Sequence, residues 1–297
     1  MTPQRDPRVA ALLPEAQATI DRVARSFALA ARFLPRDVRN DINLLYLAFR
    51  RLDDLVDLEA PSGSAQRADA QQRITAIRTW VDTGAVMDPP GDELAIFVDL
   101  QRRTPTLPLD AIGAFLDGME RDLAGPIIES DADLDLYCYQ VAGTVGRLMA
   151  ALLGVQTRDA AGADRAARAL GAAMQRTNIL RDVDEDVANG RVYISAAALR
   201  RAGLDPAATN GPTSLRDGDR RALYRAEIAH ADAEYEIGIA GIRYLQNGRR
   251  SIRVAAHLYR EILRQIERDG FGARRPHRPV VGRLRKAAAL LRAVTSS

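Results

Sequence analysis

Apolar residues recur at helical spacing along most of the chain, whereas the strict alternation that is typical of β-strands is rare. One apolar stripe follows the spacing i, i+3, i+4, i+7 and i+11 and consists of Leu45, Ala48, Phe49, Leu52 and Val56. Segments rich in Pro or Gly interrupt the helical pattern near residues 34–35, 60–63, 87–91 and 203–218. The pattern predicts an all-α protein of about eight to twelve closely joined helices.

None of these interruptions is long enough to separate two domains. We therefore expect residues 1–297 to form a single domain, with a core of about residues 20–290 and flexible ends at 1–15 and 290–297. A chain of this length can bury a full-sized core, and a helical bundle can enclose an internal cavity.

Cysteine and histidine usage excludes several classes of protein. The single cysteine, Cys138, cannot form a disulfide scaffold or a zinc site built from cysteines, and three histidines are too few for a histidine-rich metal centre. The N-terminus lacks the basic-then-apolar pattern of a secretory signal, and no apolar run has the length of a membrane span. We expect a cytoplasmic protein.

Charge is unevenly distributed along the chain. The formal net charge is +3, from 42 basic and 39 acidic residues, but no acidic residue follows Asp269. The seven basic residues of this tail are Arg274, Arg275, Arg278, Arg283, Arg285, Lys286 and Arg292. The rest of the chain is therefore net negative. A basic tail is compatible with peripheral contact to an anionic membrane surface. The acidic body and the lack of interleaved aromatic and basic residues argue against nucleic acid as a partner.

Two acidic clusters stand out. Asp53 and Asp57 are four residues apart, as are Asp182 and Asp186, so each pair occupies one face of a helix. Gln175 and Asn178 extend the second face. Facing each other, two such pairs would form an oxygen-only site suited to Mg²⁺, and such a metal commonly bridges to a diphosphate.

Arginines accompany both clusters. Arg50 and Arg51 precede the first, and Arg181 lies in the second. Guanidinium groups suit diphosphate oxygens, so the two clusters together indicate a metal and diphosphate site in a helical enzyme. The alternative is that each cluster is a solvated helix face whose carboxylates pair with neighbouring arginines. The presence of both clusters favours the first interpretation.

The motifs that contain these clusters resemble those of a known family. The run QRTNILRDVDED at 175–186, followed by GRVYI at 190–194, resembles the second aspartate-rich motif of the squalene/phytoene synthase family, and LYLAFRRLDDLVD at 45–57 resembles the first. The segments DGMERD at 117–122 and YCYQVAGTVG at 137–146 are similar to the family's intervening motifs. The segments at 24–27 and 255–259 fit its first and last helices, so the resemblance spans about residues 20–290.

This resemblance implies an isoprenoid-synthase bundle with a central prenyl-binding cavity. It also implies the head-to-head joining of two prenyl diphosphates with Mg²⁺, or alternatively Mn²⁺. The metal ligands implied are Asp53, Asp57, Asn178, Asp182 and Asp186, which with Tyr46 and Tyr137 make up the catalytic set. The residues implied to bind diphosphate are Arg50, Gln175, Asn178, Arg181, Tyr259 and Arg278.

Within the family, the chain is most similar to phytoene synthases, through Ala24, the Arg50-Arg51 pair and the run from Val141 to Gly146. The reaction so implied condenses two geranylgeranyl diphosphates to phytoene, for which NADPH is not expected. The alternatives are a C30 synthase using farnesyl diphosphate, a cyclase acting on one prenyl diphosphate, and a non-catalytic assembly factor with the same fold. The four motif aspartates argue against the assembly factor.

Two local features are unusual. Asp184 lies where the family often has glycine and adds a negative charge to the second motif. Gly143 and Gly146 lie inside a predicted helix, where glycine costs about 1 kcal/mol relative to alanine. Close approach of a prenyl chain to the backbone and tight packing of helices both explain these glycines, and the two explanations are compatible.

Overall fold

The computed structural model describes residues 3–23, 34–57, 64–87, 90–125, 128–205, 215 and 218–295. The helices of these segments are α1 (Pro7–Ala11), α2 (Leu13–Val23), α3 (Arg36–Asp57), α4 (Ser64–Thr83), α5 (Asp92–Arg103), α6 (Leu109–Ala124), α7 (Asp131–Cys138), α8 (Thr144–Leu153), α9 (Ala160–Ala188), α10 (Ala196–Arg201), α11 (Arg221–Ala240), α12 (Arg249–Arg268) and α13 (Arg283–Thr295). A π-helical turn, Tyr139–Gly143, joins α7 to α8, and a 3-10 turn, Gly241–Tyr244, follows α11. Another 3-10 turn, Thr157–Asp159, precedes α9.

The all-α prediction is confirmed. Within the described segments no strand forms, and extended pairing is limited to an isolated antiparallel bridge between Val155 and Leu245. None of the described helices is both long enough and apolar enough to cross a membrane.

Helix α3 forms because its apolar positions make one continuous stripe. Leu45, Ala48, Phe49 and Leu52 are each at most 5% exposed, as the sequence spacing predicts. The side chain of Val56, the last predicted member, lies outside the described part of the structure. Helix α9 is the longest element, with 29 residues and a length of about 44 Å, and it contacts α8, α11 and α12.

The buried side chains form two main clusters. The first joins α1 to α6 and α8 and includes Phe97 and Phe115, while the second joins α7 and α9 to α12 and includes Tyr137 and Tyr235. A small third cluster attaches α13 to α12, through Ala289 and other buried residues. Helices from both main clusters contribute to the wall of an internal cavity.

Helices α8 and α9 approach each other closely through glycines. A Cβ atom on Gly146 would lie 2.3 Å from the carbonyl oxygen of Ala167, and one on Gly171 would lie 2.2 Å from that of Ala142. Any larger residue would therefore push the two backbones apart. The packing explanation for Gly146 holds, and both Gly146 and Gly171 also line the cavity.

The N-terminal segment packs onto the bundle, although we expected residues 1–15 to form a flexible end. Arg5 forms ion pairs with Asp41 at 2.5 Å and Asp99 at 3.4 Å, and Val9 is fully buried. At the other end, Ala293 is buried within the range 290–297 for which we also expected flexibility. The sequence offers no local indication of these contacts, because their partners lie far along the chain.

Candidate active site

A cavity of about 600 Å³ lies inside the bundle. Most of its wall is apolar and is contributed chiefly by α3, α8, α9 and α12. On one side Phe49 and Phe115 pack ring against ring, with centroids 4.3 Å apart. On α9 the wall consists of Ala163, Ala166, Ala167, Leu170, Gly171 and Met174. These residues occupy one helix face, so the helical spacing of small and apolar residues indicates this wall in the sequence, although we had not identified it there.

One part of the cavity wall is polar, and most of the predicted binding residues meet there. These residues are Tyr46, Arg50 and Asp53 from α3, Gln175, Asn178 and Arg181 from α9, Tyr259 from α12, and Arg278 from the segment that precedes α13. On each long helix they are spaced by three or four residues, which places them on one face. We call this set the polar mouth. It brings together side chains that are far apart in sequence.

Asp182 and Asp186 are placed at the edge of the polar mouth. They are not among the lining residues, but the Asp182 carboxylate accepts a 2.8 Å hydrogen bond from Nε of Arg181 and lies 3.0 Å from Nε of Arg278. Asp186 follows one helical turn later. Burial, followed by the negative charges of Asp182 and Glu185, raises the pKa of Asp186 to about 7. Asp182 is thus paired with two arginines, whereas Asp186 holds its proton more tightly than an ordinary carboxyl group does.

The donor atoms here fit a divalent cation of the Mg²⁺ type. The Oδ1 atom of Asn178 is buried within the polar mouth and accepts no hydrogen bond, so it is a free oxygen ligand. The nearby donors are carboxylate and amide oxygens, which hard cations prefer. Among the side chains that the structure describes, no three His, Cys, Asp or Glu residues form a metal-binding group by themselves. Asp57 ends α3, and its side chain lies outside the described part.

Two of the predicted tyrosines line the cavity and the third does not. Burial is the main cause that raises the pKa values of Tyr46 and Tyr259, so both hydroxyls remain protonated and able to donate hydrogen bonds at neutral pH. Tyr137 instead lies in the second core cluster, where its ring stacks on Tyr193 and its hydroxyl donates to Asp122 at 3.2 Å. Ala24, used in the resemblance, lies outside the described residues.

Sequence reasoning left the role of Asp184 open, and the structure gives it two partners. Its Oδ1 atom lies 2.7 Å from Nη1 of Arg220, and its Oδ2 atom accepts a 2.8 Å hydrogen bond from the backbone N–H of His277. The added negative charge in the second motif is thereby compensated. Neither partner is indicated by a motif, since both lie far from Asp184 in sequence.

Known proteins resemble this chain in sequence and in fold. The profile of the squalene/phytoene synthase family matches residues 20–285. Phytoene synthase of Thermus thermophilus is 34% identical over 265 residues, covering 85% of this chain and 83% of the relative. Presqualene diphosphate synthase of Rhodopseudomonas palustris is 33% identical over 276 residues, covering 90% and 91%. A dehydrosqualene synthase structure superimposes with a TM-score of 0.77 and 25% identity, covering 96% of each chain, which confirms the predicted isoprenoid-synthase fold. The chain therefore belongs to the squalene/phytoene synthase family and is a prenyltransferase.

Proposed function

We propose that this prenyltransferase condenses two geranylgeranyl diphosphates head to head, giving phytoene through a cyclopropyl diphosphate. The observation that carries this proposal is the internal cavity, whose long apolar wall ends at a mouth lined by Arg50, Arg181 and Arg278. An apolar wall suits prenyl chains, and converging guanidinium groups suit diphosphate. The C20 substrate is favoured by the likeness to phytoene synthases, such as that of Thermus thermophilus.

The residues of the mouth would stabilise the first bond cleavage. When the C1–O bond of one substrate breaks, its electron pair leaves with the diphosphate, whose charge the arginines would bind. The allylic cation would remain among apolar residues that exclude water, and the π faces of Tyr46 and Tyr259 would lie near it. The double bond of the second substrate then attacks C1, and loss of a proton closes the cyclopropane ring.

The second half of the reaction needs no reductant. Departure of the second diphosphate, rearrangement and loss of a second proton give phytoene. Squalene formation differs because a hydride replaces that proton loss, so it requires a donor such as NADPH. Phytoene synthesis therefore requires no nicotinamide site.

A divalent cation, Mg²⁺ or alternatively Mn²⁺, would be held by Asp53, Asp57, Asn178, Asp182 and Asp186. The buried and unpartnered Oδ1 atom of Asn178 supports this assignment. Bound there, the cation would supply positive charge that polarises the departing diphosphate.

A C30 synthase that uses two farnesyl diphosphates is the second candidate. Presqualene diphosphate synthase of Rhodopseudomonas palustris and the dehydrosqualene synthase structure both favour it. The length of prenyl chain that the apolar wall can accept selects between the C15 and the C20 substrate. Along α9 this wall extends from Met174 to Ala163, about 16 Å of helix.

Incubation of the purified full chain with C15 and C20 diphosphates tests the proposal. Each substrate is supplied with Mg²⁺ or with EDTA, and with or without NADPH, and the products are separated by chromatography. We expect phytoene from the C20 substrate, only with Mg²⁺ and independently of NADPH. Product from the C15 substrate alone would establish the second candidate. Formation of product in EDTA, or no product from either substrate, would contradict the proposed chemistry.

A further inference from the structure

Asp184 links three segments of the chain. It lies two residues from both Asp182 and Asp186, so its side chain leaves α9 on a different face from theirs. The Asp184 side chain is 14% exposed. Its partner Arg220 is almost completely buried and also donates from Nε to the carbonyl oxygen of Leu215. Through its other oxygen, Asp184 holds the backbone of His277. One carboxylate thus joins α9, the start of α11 and the segment after α12.

The segment from Asp269 to His277 has further anchors besides this link. The His277 ring lies 2.9 Å from Asp269 through Nε2. Arg275 donates to the carbonyl oxygens of Gly272 and Gly218. The anchored stretch ends directly before Arg278.

Arg278 lines the polar mouth but is itself weakly held. Its side chain is 57% exposed and pairs with Asp182 at 3.0 Å and Glu185 at 3.2 Å. Exposed ion pairs of this kind contribute little to stability. A buried charge pair that also accepts a backbone hydrogen bond fixes geometry more firmly. The position of Arg278 therefore depends on Asp184 more than on its own partners.

We propose that Asp184 is a positioning residue for diphosphate binding that acts through Arg278. By fixing the backbone of His277, it holds the adjacent guanidinium at the mouth of the cavity, where Arg278 can exchange its carboxylate partners for diphosphate oxygens. This inference rests on the proposed diphosphate site. It assigns a function to a residue that is not itself in contact with the substrate cavity.

The test compares Asp184→Ala, Arg278→Ala and the double variant. Because Asp184→Ala leaves the buried Arg220 without its partner and can prevent folding, Asp184→Ala/Arg220→Met removes both charges together. Asp232→Ala is the matched control, since Asp232 likewise has two partners, Arg260 and Arg264, and is 20% exposed. The readouts are the dissociation constant for inorganic pyrophosphate in EDTA, amide hydrogen exchange at residues 275–278, and KM and kcat.

We expect Asp184→Ala and Asp184→Ala/Arg220→Met to accelerate exchange at His277 and to weaken pyrophosphate binding about tenfold, the range for one lost charge-assisted contact. KM should rise more than kcat falls, and Asp232→Ala should change neither exchange nor affinity. In the Arg278→Ala background, loss of Asp184 should still accelerate exchange at His277 but should not weaken pyrophosphate binding further, because both residues act on pyrophosphate through one contact.

Additive effects of Asp184→Ala and Arg278→Ala on pyrophosphate affinity would overturn the proposal. So would pyrophosphate affinity or exchange at His277 that Asp184→Ala leaves unchanged. These outcomes can be distinguished from a failure of the proposed function, because pyrophosphate binding and amide exchange are measured without turnover. If the wild-type protein forms no product from prenyl diphosphates, the proposed reaction is wrong, whereas pyrophosphate affinity and amide exchange still decide the role of Asp184.

Discussion

The charged residues of the polar mouth have different tasks because their surroundings differ. Arg50 and Arg278 are partly exposed and pair with carboxylates that diphosphate oxygens can replace. Asp53 faces the cavity from a long helix. The buried Oδ1 atom of Asn178 receives no hydrogen bond from the protein. Oxygen ligands beside guanidinium groups whose carboxylate partners can be exchanged suit a site that binds a metal and releases an anion.

Replacement of Asp53 by Asn tests the assigned metal role. The change keeps the size of the side chain and removes its negative charge, which weakens binding of a divalent cation. We expect kcat/KM to fall at least about a hundredfold, as is typical for loss of one electrostatic contact in an active site. Steady-state kinetics across a Mg²⁺ titration measure the effect. Asp37→Asn, an exposed aspartate near the start of the same helix, should leave kcat/KM unchanged. Full activity of the Asp53 variant would remove this residue from the ligand set.

Individual site residues were predictable where helical spacing or a contiguous motif determines which face of the helix carries their side chains. Arg50 with Asp53, and Asn178 with Arg181, are three residues apart and line the same cavity, as expected. Tyr137 was assigned to the site by motif alone, but the structure places it in the core against Tyr193. The partners of Asp184 were not predictable, because long-range contacts leave no periodic pattern in the sequence.

Helix α9 has different chemistry on two of its faces. Gln175 and Asn178 line the cavity, while Arg176 is 2% exposed and lies in a separate ionic cluster. Arg176 binds Asp135 and, at 2.5 Å, Glu227, and its Nε atom lies 3.6 Å from Glu234. Three carboxylates thus surround one guanidinium, and the ring of His230 lies 3.5 Å from Asp135 and 3.9 Å from Glu234.

Glu234 makes the stability of this cluster dependent on pH. Burial raises the pKa of Glu234 to about 7. The positive charge of Arg176 opposes this shift, and the negative charge of Asp135 adds to it. The folded protein therefore holds the proton of the Glu234 carboxyl more tightly than the unfolded chain does. The contribution of the protonated carboxyl to the free energy of unfolding is complete below the ordinary pKa of about 4.5. That contribution is lost as the pH rises through about 7.

Glu234→Gln should remove this dependence, because the amide resembles the protonated acid. We expect the variant to have a Tm a few degrees above that of the wild type at pH 8 and a similar Tm at pH 4.5. Thermal unfolding at both pH values measures the difference. Glu236→Gln, on the exposed side of the same helix, should show no such pH-dependent gain. An equal shift at both pH values would contradict the assignment.

At the level of elements, the periodicity of α3 and α9 was sufficient to predict long helices. The π-helical turn at Tyr139–Gly143 was not predictable, because its wider hydrogen-bond pattern leaves no distinct apolar period. Gly143 and Gly146 were recognised as unusual, but Gly171 on the facing helix was not. Only the folded structure shows that these glycines let two backbones meet.

For the whole molecule, the division between an acidic body and a basic tail acquires a structural explanation. Arg275 and Arg278 are used internally, since they anchor the tail segment and line the cavity. Beyond them, α13 begins with basic residues on the surface, and Val280 and Leu284 are 72% and 88% exposed. Basic side chains beside exposed apolar ones suit an anionic membrane surface.

We predict that this surface binds anionic membranes and that the binding depends on Val280 and Leu284 as well as on charge. We expect Val280→Asp/Leu284→Asp to reduce binding to phosphatidylserine-containing vesicles at least about tenfold, because the change removes apolar anchors and adds repulsive charges. Vesicle flotation at low and high salt measures this, and pure phosphatidylcholine vesicles should bind weakly throughout. Met87→Asp is the matched control, since Met87 is 46% exposed but lies outside the basic tail. Unchanged binding by the double variant would show that this surface is not the contact.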